Sequence, residues 1–252
     1  IKELGETKMM KAFLVEQISD KEFVSGVKEI EIPKCGENEV VIKVTYSSLN
    51  YKDALSSVGN PGVTRKFPHV TGIDVAGTIY KSTSPIFKVG ERVLVTGYDM
   101  GMNSDGGHAQ FVKVPASWVA RIPDSISDKE IMTFGTAGLT AALSVNEFIE
   151  NKIKPESGDI LVTGATGGVG SIAIAILSKL GYNITAISGK KDQIEFLKDI
   201  GATEVILRED FEKESAKPLL SEKYAGVIDT VGGTILANAL KQVKYDGVVT
   251  CC

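Results

Sequence analysis

A glycine-rich segment joins two apolar runs in the second half of the chain, 159–163 before it and 171–180 after it. Glycine lets the backbone turn tightly and approach a phosphate, whose charge is stabilised at the positive amino end of the following helix. The segment therefore predicts a site for a dinucleotide pyrophosphate, although a turn that binds nothing could have the same residues. The glycines of this segment are Gly164, Gly167, Gly168 and Gly170.

The glycine-rich segment departs from the G-x-G-x-x-G fingerprint at its first position. Aligned on Gly167 and Gly170, the chain has Ala165 where the fingerprint has its first glycine. The residue before it, Gly164, is a glycine and has no side chain. We therefore expect Gly164 to form the tight turn instead.

The residues after the next predicted strand favour NADPH over NADH. An NAD site carries an acidic residue about 20 positions beyond the glycine motif. In its place this chain has Ser188, Gly189, Lys190 and Lys191. A hydroxyl, backbone amides and ammonium groups suit a ribose 2′-phosphate. The alternative is that both lysines are solvated at a helix start. The nearby Asp192 is interpreted as a helix-start residue rather than as a ribose ligand.

Strands and helices alternate after Pro123, and this alternation must position the glycine-rich turn. Strands are predicted at 159–163, 183–187, 204–207, 227–230 and 247–252, and helices at 137–149, 171–180, 192–200 and 236–243. Repeated βαβ units predict an α/β fold with a doubly wound parallel sheet. Because the chain ends inside a predicted strand, we expect this sheet to be incomplete and the chain to be a fragment.

The first half of the chain has a different pattern, with short strands separated by glycine and proline. Strands are predicted at 12–16, 40–46, 75–80, 92–96 and 109–114. Such spacing predicts a small barrel-like or sandwich-like β domain. The predicted domains are 10–125 and 126–252, and residues 1–9 are predicted to be an extension or tag remnant.

The composition is that of a globular protein and narrows the classes of partner. The chain has 252 residues, 43% of them hydrophobic and 24% charged, with a formal net charge of −4. This balance lacks the basic excess expected for binding nucleic acid or an anionic membrane. No segment has the roughly 18 apolar residues of a membrane span, so we expect a cytoplasmic protein. We therefore expect neither a nucleic acid nor a membrane as its partner.

The metal-ligating residue types are scarce. The three cysteines are Cys35, Cys251 and Cys252, and the two histidines are His69 and His108. The histidines have no cysteine near them in the sequence, so a zinc site of His, Cys and carboxylate ligands is not expected there. Both histidines are interpreted as turn or packing residues.

Four further segments carry a family resemblance. They are 47–53 (SSLNYKD), 68–77 (PHVTGIDVAG), 135–140 (GTAGLT) and 228–232 (IDTVG). Together they resemble the medium-chain dehydrogenase/reductase superfamily, in its branch of acryloyl-CoA reductases and quinone oxidoreductases. The resemblance implies a GroES-like β-barrel domain followed by a Rossmann domain, in a homodimer. It also implies that the family continues beyond the end of this chain.

The resemblance implies a reaction without zinc. Zinc-dependent branches have a cysteine near Asn50 and Tyr51, and Gly-His-Glu at the positions of Gly72, Ile73 and Asp74 in this chain. In the family reaction, hydride passes from the nicotinamide to the β-carbon of an activated alkene, and the α-carbon is then protonated. Such a site needs hydrogen-bond donors for the enolate and a proton source.

By resemblance, Asn50, Tyr51 and Asp74 are the candidate catalytic residues. Tyr51 would also lie beside the cofactor, Asn50 would donate to a carbonyl group, and Asp74 would orient them or join a proton relay. The alternative is that Tyr51 is an ordinary barrel aromatic and Asp74 a turn acid. The contacts carried over for the cofactor phosphates are Thr166, Gly167, Gly168, Val169 and Gly170. Ser188, Gly189, Lys190 and Arg208 are carried over as contacts of the adenosine phosphate or the adenine. The alternative for Arg208 is an ordinary surface arginine.

Three functions stay open at this point. The first is NADPH-dependent reduction of an enoyl-CoA, with acryloyl-CoA as the expected substrate. The second is NADPH-dependent reduction of a quinone, which has the same hydride chemistry. The third is a non-catalytic NADPH-binding protein, in which the glycine turn would be intact and Tyr51 dispensable.

Overall fold

The computed structural model describes residues 8–213 and 220–252, which form two compact units. One unit extends to Thr136 and the other begins at Ala137. Residues 1–7, most of the predicted extension, lie outside the described residues, and Met9 belongs to the first strand rather than to an extension. No helix in the described part of the chain is both long and apolar enough to cross a bilayer.

The first unit contains two antiparallel sheets. Its elements are β1 (Met9–Ser19), β2 (Glu22–Glu31), β3 (Glu39–Tyr46), α1 (Tyr51–Ser57), β4 (His69–Val70), β5 (Asp74–Ser82), β6 (Arg92–Thr96), β7 (Phe111–Pro115) and β8 (Ala120–Arg121). The strand orders are β2-β1-β4 and β7-β3-β5-β6-β8. The Phe13 amide donates to the His108 carbonyl at 2.8 Å, and this bond joins β1 to the segment that precedes β7.

Alternating apolar side chains build the core of the larger sheet. Val112 and Val114 of β7 are 1% exposed, whereas the intervening Lys113 points toward solvent and pairs with Glu39. This period of two places every second residue of a strand on one face. Each fully buried aliphatic side chain contributes about 1.5–3 kcal/mol through its removal from water.

The second unit is built around a parallel sheet. Its strands are β9 (Asp159–Val162), β10 (Ile184–Ser188), β11 (Glu204–Leu207), β12 (Tyr224–Asp229) and β13 (Val243–Cys251). The order β11-β10-β9-β12-β13 reverses direction at β9, so the sheet is doubly wound. In such sheets a ligand binds at the carboxyl ends of the strands flanking this switch point, here β9 and β12.

Helices follow the strands as the alternation predicts. They are α2 (Asp128–Glu150), α3 (Gly168–Lys179), α4 (Ile194–Asp199), α5 (Arg208–Phe211) and α6 (Gly233–Leu240). The boundary between the units falls inside α2, next to Gly135, whose φ of 48° and ψ of −150° interrupt the helical backbone. A positive φ of this kind is readily adopted only by glycine.

The predicted fold class is confirmed, and several elements differ from the sequence-based expectation. The strand β11 has the predicted bounds, whereas α3 begins at Gly168, earlier than the predicted start at residue 171. The strand β2, the helix α1 and the one-turn helix α5 were not predicted. His69 lies in the short strand β4 and is buried.

Candidate functional site

Asn50 and Asp74 are hydrogen-bonded to each other in the first unit. The Asn50 Nδ2 donates to Asp74 Oδ2 at 2.8 Å, and Asp74 is fully buried at the start of β5. The two residues are far apart in sequence, and the fold brings α1 and β5 together at this point. Because Asn50 Nδ2 carries two hydrogens, one remains available after the bond to Asp74.

Thr136 donates two further hydrogen bonds to the Asp74 carboxylate. Its backbone amide donates to Oδ2 at 3.0 Å, and its hydroxyl donates to Oδ1 at 2.6 Å. The neighbouring Gly135 makes this approach possible, since a Cβ there would lie 2.6 Å from Asp74 Oδ2 and 2.5 Å from Ser48 Oγ. A buried carboxylate needs such donors to offset its loss of hydration. Both oxygens of the Asp74 carboxylate therefore accept hydrogen bonds, and its role in orientation or in a proton relay stays a prediction.

Asp53 fixes Asn50 through the backbone. Its Oδ2 accepts from the Asn50 amide at 2.8 Å, and its Oδ1 accepts from the Ile73 amide at 3.0 Å. Asp53 is 4% exposed and sits in the first turn of α1, where an acidic side chain also interacts favourably with the helix dipole. Two buried carboxylates, Asp53 and Asp74, thus hold Asn50 from its main chain and its side chain.

A cavity of about 450 Å³ opens beside Asn50 within the first unit. Its lining comprises Phe13, Leu49, Asn50, Asp53, Ala54, Ser57, Thr71 and His108. The lining combines apolar side chains with a few polar groups, which is typical of small-molecule sites. This cavity is the candidate substrate site of the first unit.

His108 is held in one orientation at this cavity. The Thr71 hydroxyl lies 2.8 Å from Nδ1, and the Ser48 carbonyl lies 3.2 Å from Nε2. Since a carbonyl can only accept, Nε2 carries the hydrogen and Nδ1 accepts from Thr71 in the neutral ring. His108 thus lies on the cavity wall, a position that its interpretation as a turn or packing residue did not predict.

Tyr51 is the first residue of α1 and follows Asn50 directly. Its side chain is 81% exposed, so it is not a packed aromatic of the β domain's core. The exposed phenol is available to contact a ligand. Its predicted roles beside a cofactor and in proton delivery stay predictions.

His69 belongs to a separate, buried polar cluster. The Ser56 hydroxyl lies 2.8 Å from His69 Nε2 and 2.6 Å from the Thr64 hydroxyl. Burial lowers the pKa of His69 from its ordinary 6.5, and the nearby Asp105 carboxylate opposes this shift. Among the described residues, His69 Nδ1 has no hydrogen-bond partner. This cluster anchors α1 and gives His69 a structural role.

The glycine-rich turn of the second unit has the geometry of an anion site. Gly164 has a φ of 57°, so it forms the tight turn as expected. A Cβ on Gly170 would lie 2.6 Å from the Gly164 carbonyl oxygen, so only glycine allows α3 to begin this close to the turn. No side chain caps Gly167, and the first amides of a helix lack partners within the helix. These amides can donate to a phosphate.

Ser188, Gly189 and Arg208 meet at the carboxyl end of β10. The Ser188 hydroxyl accepts from the Lys190 amide at 3.0 Å and is nearly buried, so it shapes the turn as well as offering a hydroxyl. The Arg208 guanidinium lies over Gly189, where a Cβ would be 3.3 Å from Cζ. The structure thus brings together the residues proposed from sequence for the adenosine phosphate.

The two neighbouring lysines differ in their surroundings. Lys191 Nζ pairs with Glu209 at 2.8 Å on the exposed surface. Among the described residues, no comparable ion pair is found for Lys190. Of the two ammonium groups, Lys190 is therefore the one left to bind an added phosphate.

The residues present fit a nicotinamide dinucleotide better than they fit zinc. The uncapped amino end of α3, the close packing of Gly170 against the glycine-rich turn and the cationic Lys190 and Arg208 suit a phosphorylated ligand. In residues 8–213 and 220–252, no three His, Cys, Asp or Glu side chains are grouped as a metal site requires. Asn50 and Asp74 are instead bonded to each other.

Several residues of these sites were missed by sequence reasoning. Asp53 lies three residues after Asn50, the spacing of a helix capping box, so a local signal for it was present. Thr136 and Thr71 gave no such signal, because their partners Asp74 and His108 are distant in the chain. Contacts of this kind follow from the tertiary fold rather than from spacing in the sequence.

Two family models match the chain. The alcohol dehydrogenase GroES-like domain matches residues 36–124, and the zinc-binding dehydrogenase model matches residues 168–252. A GroES-like domain followed by a doubly wound nucleotide-binding sheet defines a medium-chain dehydrogenase/reductase. The chain belongs to this oxidoreductase family.

Its relatives place it in one branch. AcuI of Escherichia coli, whose name describes an acrylyl-CoA reductase, is 42% identical over 96% of this chain and 74% of its own length. YhfP of Bacillus subtilis, whose name describes a quinone oxidoreductase, is 43% identical over 90% of this chain and 68% of its own length. The branch expected from the four sequence segments is confirmed.

Solved structures of this branch contain nicotinamide dinucleotides. The yhdH oxidoreductase of Salmonella enterica, in complex with NADP, is 41% identical over 96% of this chain and 74% of that chain, with a TM-score of 0.90. The Bacillus subtilis yhfP structure, also with a TM-score of 0.90, has NAD bound. Both phosphorylated and unphosphorylated dinucleotides are therefore seen in the branch.

Proposed function

We propose that this chain is an NADPH-dependent oxidoreductase that reduces the C=C bond of an α,β-unsaturated thioester without zinc, converting acryloyl-CoA to propanoyl-CoA. The observation that carries the proposal is the pair of Asn50 and Asp74 beside the 450 Å³ cavity. This pair presents an oriented amide donor instead of metal ligands. The similarity to the acrylyl-CoA reductase AcuI supports the choice of substrate class.

In the proposed reaction, bound NADPH supplies the hydride that adds to the β-carbon of the substrate. The free hydrogen of Asn50 Nδ2 donates to the thioester carbonyl oxygen, where negative charge develops. Asp74 and Asp53 hold this amide in place before the reaction, so little reorganisation is needed when the charge forms. A single donor of this type changes kcat by about 10²–10³-fold in other enzymes.

Protonation of the α-carbon completes the proposed reaction. Tyr51 is the candidate for this step or for contact with the cofactor, since its phenol is exposed and adjacent to Asn50 in the chain. The hydroxyl hydrogen would move to the α-carbon and be replaced from solvent. Alternatively, Tyr51 positions the cofactor and water delivers the proton.

For the cofactor, we propose that Thr166, Gly167, Gly168, Val169 and Gly170 contact the pyrophosphate. The 2′-phosphate would be bound by Ser188, Gly189, Lys190 and Arg208. The observation supporting NADPH over NADH is the cationic end of β10, where Lys190 and Arg208 are exposed and no acidic residue occupies the ribose position. The NADP-bound yhdH structure agrees with this preference, whereas the NAD-bound yhfP structure makes it worth measuring.

A second candidate is reduction of a quinone. It is favoured by the name of YhfP and by the apolar side chains Phe13 and Leu49 on the cavity wall, which suit a flat apolar ring. The hydride chemistry is the same, so the substrate alone separates the two candidates. A cytoplasmic homodimer is proposed for either activity from the family resemblance.

The experiment that tests the proposal is NADPH oxidation followed by the absorbance of the reduced nicotinamide, with acryloyl-CoA and separately with a benzoquinone. Thioester turnover that falls about 10²-fold or more in Asn50→Ala, with NADPH affinity unchanged, is the expected result. Turnover of the quinone alone would favour the second candidate. Saturable NADPH binding without turnover of either substrate would favour a non-catalytic binding protein.

A further inference from the structure

A buried carboxylate lies at the switch point of the parallel sheet and takes no part in the proposed chemistry. Asp229 is the last residue of β12 and is 2% exposed. Its Oδ1 accepts from the Thr163 hydroxyl at 2.7 Å, and its Oδ2 accepts from the Gly232 amide at 2.8 Å. Asp229 therefore joins the loop after β9 to the loop after β12.

Thr163 strengthens this connection from the other strand. Besides donating to Asp229, its hydroxyl accepts from the Thr230 amide at 3.0 Å. The Thr230 hydroxyl donates in turn to the Thr163 carbonyl at 3.1 Å. We refer to Asp229, Thr163 and Thr230 as the switch-point clasp.

The clasp adjoins the glycine-rich turn directly. Thr163 precedes Gly164, and a Cβ on Gly164 would collide with Thr230 Oγ1. On the other loop, Gly232 and Gly233 have φ values of 75° and 60°, and their Cα atoms face open space. Both loops thus have backbone conformations that only glycine adopts easily, and such conformations persist when surrounding contacts hold them.

We propose that Asp229 is a positioning residue for the cofactor: through the clasp, it holds the turn at 164–168 against the loop at 230–233. Both loops then present their amides to the dinucleotide in a fixed geometry. This inference rests on the proposed NADPH site in the second unit. It predicts that weakening the clasp lowers NADPH affinity more than it lowers stability.

The chemistry of the contacts explains why an aspartate is needed. An amide at this position has one acceptor oxygen, which the fixed Gly232 amide would take. The amide NH₂ would then face the Thr163 hydroxyl, whose oxygen already accepts from Thr230. The Thr163 hydrogen would lose its acceptor and the clasp would lose its charged group, so the clasp would be weakened.

The test compares Asp229→Asn and Thr163→Val with Thr163→Ser, which keeps the hydroxyl. Hydrogen exchange of the amides at 164–170 is measured without cofactor, and the Kd for NADPH is measured from the fluorescence of its reduced nicotinamide. We expect Asp229→Asn and Thr163→Val to accelerate exchange and to raise Kd by about tenfold, equivalent to about 1.4 kcal/mol. Thr163→Ser should keep the exchange rate and the Kd within about twofold of wild type.

Tyr182→Phe is the matched control. The Tyr182 hydroxyl donates to the Ile153 carbonyl at 2.7 Å in the same unit, before β10 and therefore at the amino ends of the strands. This variant should lower the melting temperature and leave Kd and exchange at 164–170 unchanged. Equal effects of Tyr182→Phe and Asp229→Asn on Kd would overturn the inference, as would a wild-type Kd in Thr163→Val.

The two readouts separate this inference from the proposed function. If the wild-type chain fails to bind NADPH, the proposed function fails, whereas accelerated exchange in Asp229→Asn still supports the clasp. If the wild type binds NADPH and exchange at 164–170 is unchanged in both clasp variants, the proposed function stands and the clasp is wrong. Thr163→Val supplies the measurement if Asp229→Asn does not fold.

Discussion

Substitution of Asp74 tests whether Asn50 acts through an orienting carboxylate. Asp74 accepts three hydrogen bonds, one from Asn50 and two from Thr136. Asp74→Ala leaves three donors without an acceptor at about 1–3 kcal/mol each, so the free energy of unfolding should fall by more than about 3 kcal/mol. Asp74→Asn can keep these contacts if the Thr136 hydroxyl rotates, but it loses the charge that strengthens them. Its expected cost is about 1–3 kcal/mol.

The activity of Asp74→Asn should fall further than its stability suggests. A hydrogen-bond donor of this kind raises kcat by about 10²–10³-fold, and a less firmly held Asn50 loses part of this rate enhancement. We therefore expect kcat to fall by about tenfold or more, with little change in the KM for NADPH. The assay is turnover of acryloyl-CoA, alongside thermal unfolding of the same preparations. Asp128→Asn is the control, because it weakens the half-buried ion pair with Arg92 in the same unit.

Comparison with Asp128→Asn shows whether the loss of kcat in Asp74→Asn is specific. Asp128→Asn should cost about 1 kcal/mol or less and leave kcat unchanged. If Asp74→Asn also keeps the wild-type kcat despite a measured loss of stability, Asn50 needs no carboxylate partner. Asp74 would then be a structural residue of the first unit.

Three further perturbations follow from the geometry. Gly170→Ala should raise the Kd for NADPH, measured by titration, by about tenfold or more, because its Cβ would lie 2.6 Å from the Gly164 carbonyl oxygen. Gly26→Ala is the control: its Cβ meets nothing within 4 Å, so the Kd should be unchanged. Lys190→Ala should raise the KM for NADPH by about tenfold and leave the KM for NADH unchanged. Lys191→Ala should change neither KM much. An equal rise in both KM values in Lys190→Ala would contradict the assignment of Lys190 to the 2′-phosphate. His69 has a pKa below 6.5, so it stabilises the fold fully above pH 6.5 and less as the pH falls through its folded pKa. Urea unfolding between neutral and mildly acidic pH should show this loss, and His69→Gln should reduce it.

The nucleotide-binding half was predictable because its signals are local. Apolar runs of strand length, each followed by a helical run, define the order of elements, and the handedness rule for βαβ units then leaves few topologies. Gly164 and Gly170 lie within one strand-turn-helix, so their roles follow from spacing alone. The start of α3 was placed too late because Gly168 and Gly170 are poor helix formers, and tertiary packing overrides that propensity.

The β half was less predictable because pairing, not periodicity, builds it. No residue of β2 is fully buried, so its sequence lacks the alternation that marks a half-buried strand. It forms because it pairs along its length with β1, from Met9 opposite Glu31 to Ser19 opposite Glu22. The helix α1 has seven residues, which is too short for a helical period to be recognised.

The candidate catalytic residues show most clearly where sequence reasoning stops. Asp53 and Asp74 are both buried carboxylates that hold Asn50, yet only Asp53 has a spacing that predicts its contact. The environment of Asp74 depends on Thr136, which is distant in the chain and belongs to α2, and on Gly135, which permits the approach. The family resemblance pointed to the position of Asp74 but left its role open between orientation and proton relay. Its occupied acceptors favour orientation, because a carboxylate that already holds three donors at 2.6–3.0 Å has little capacity to exchange a proton with substrate.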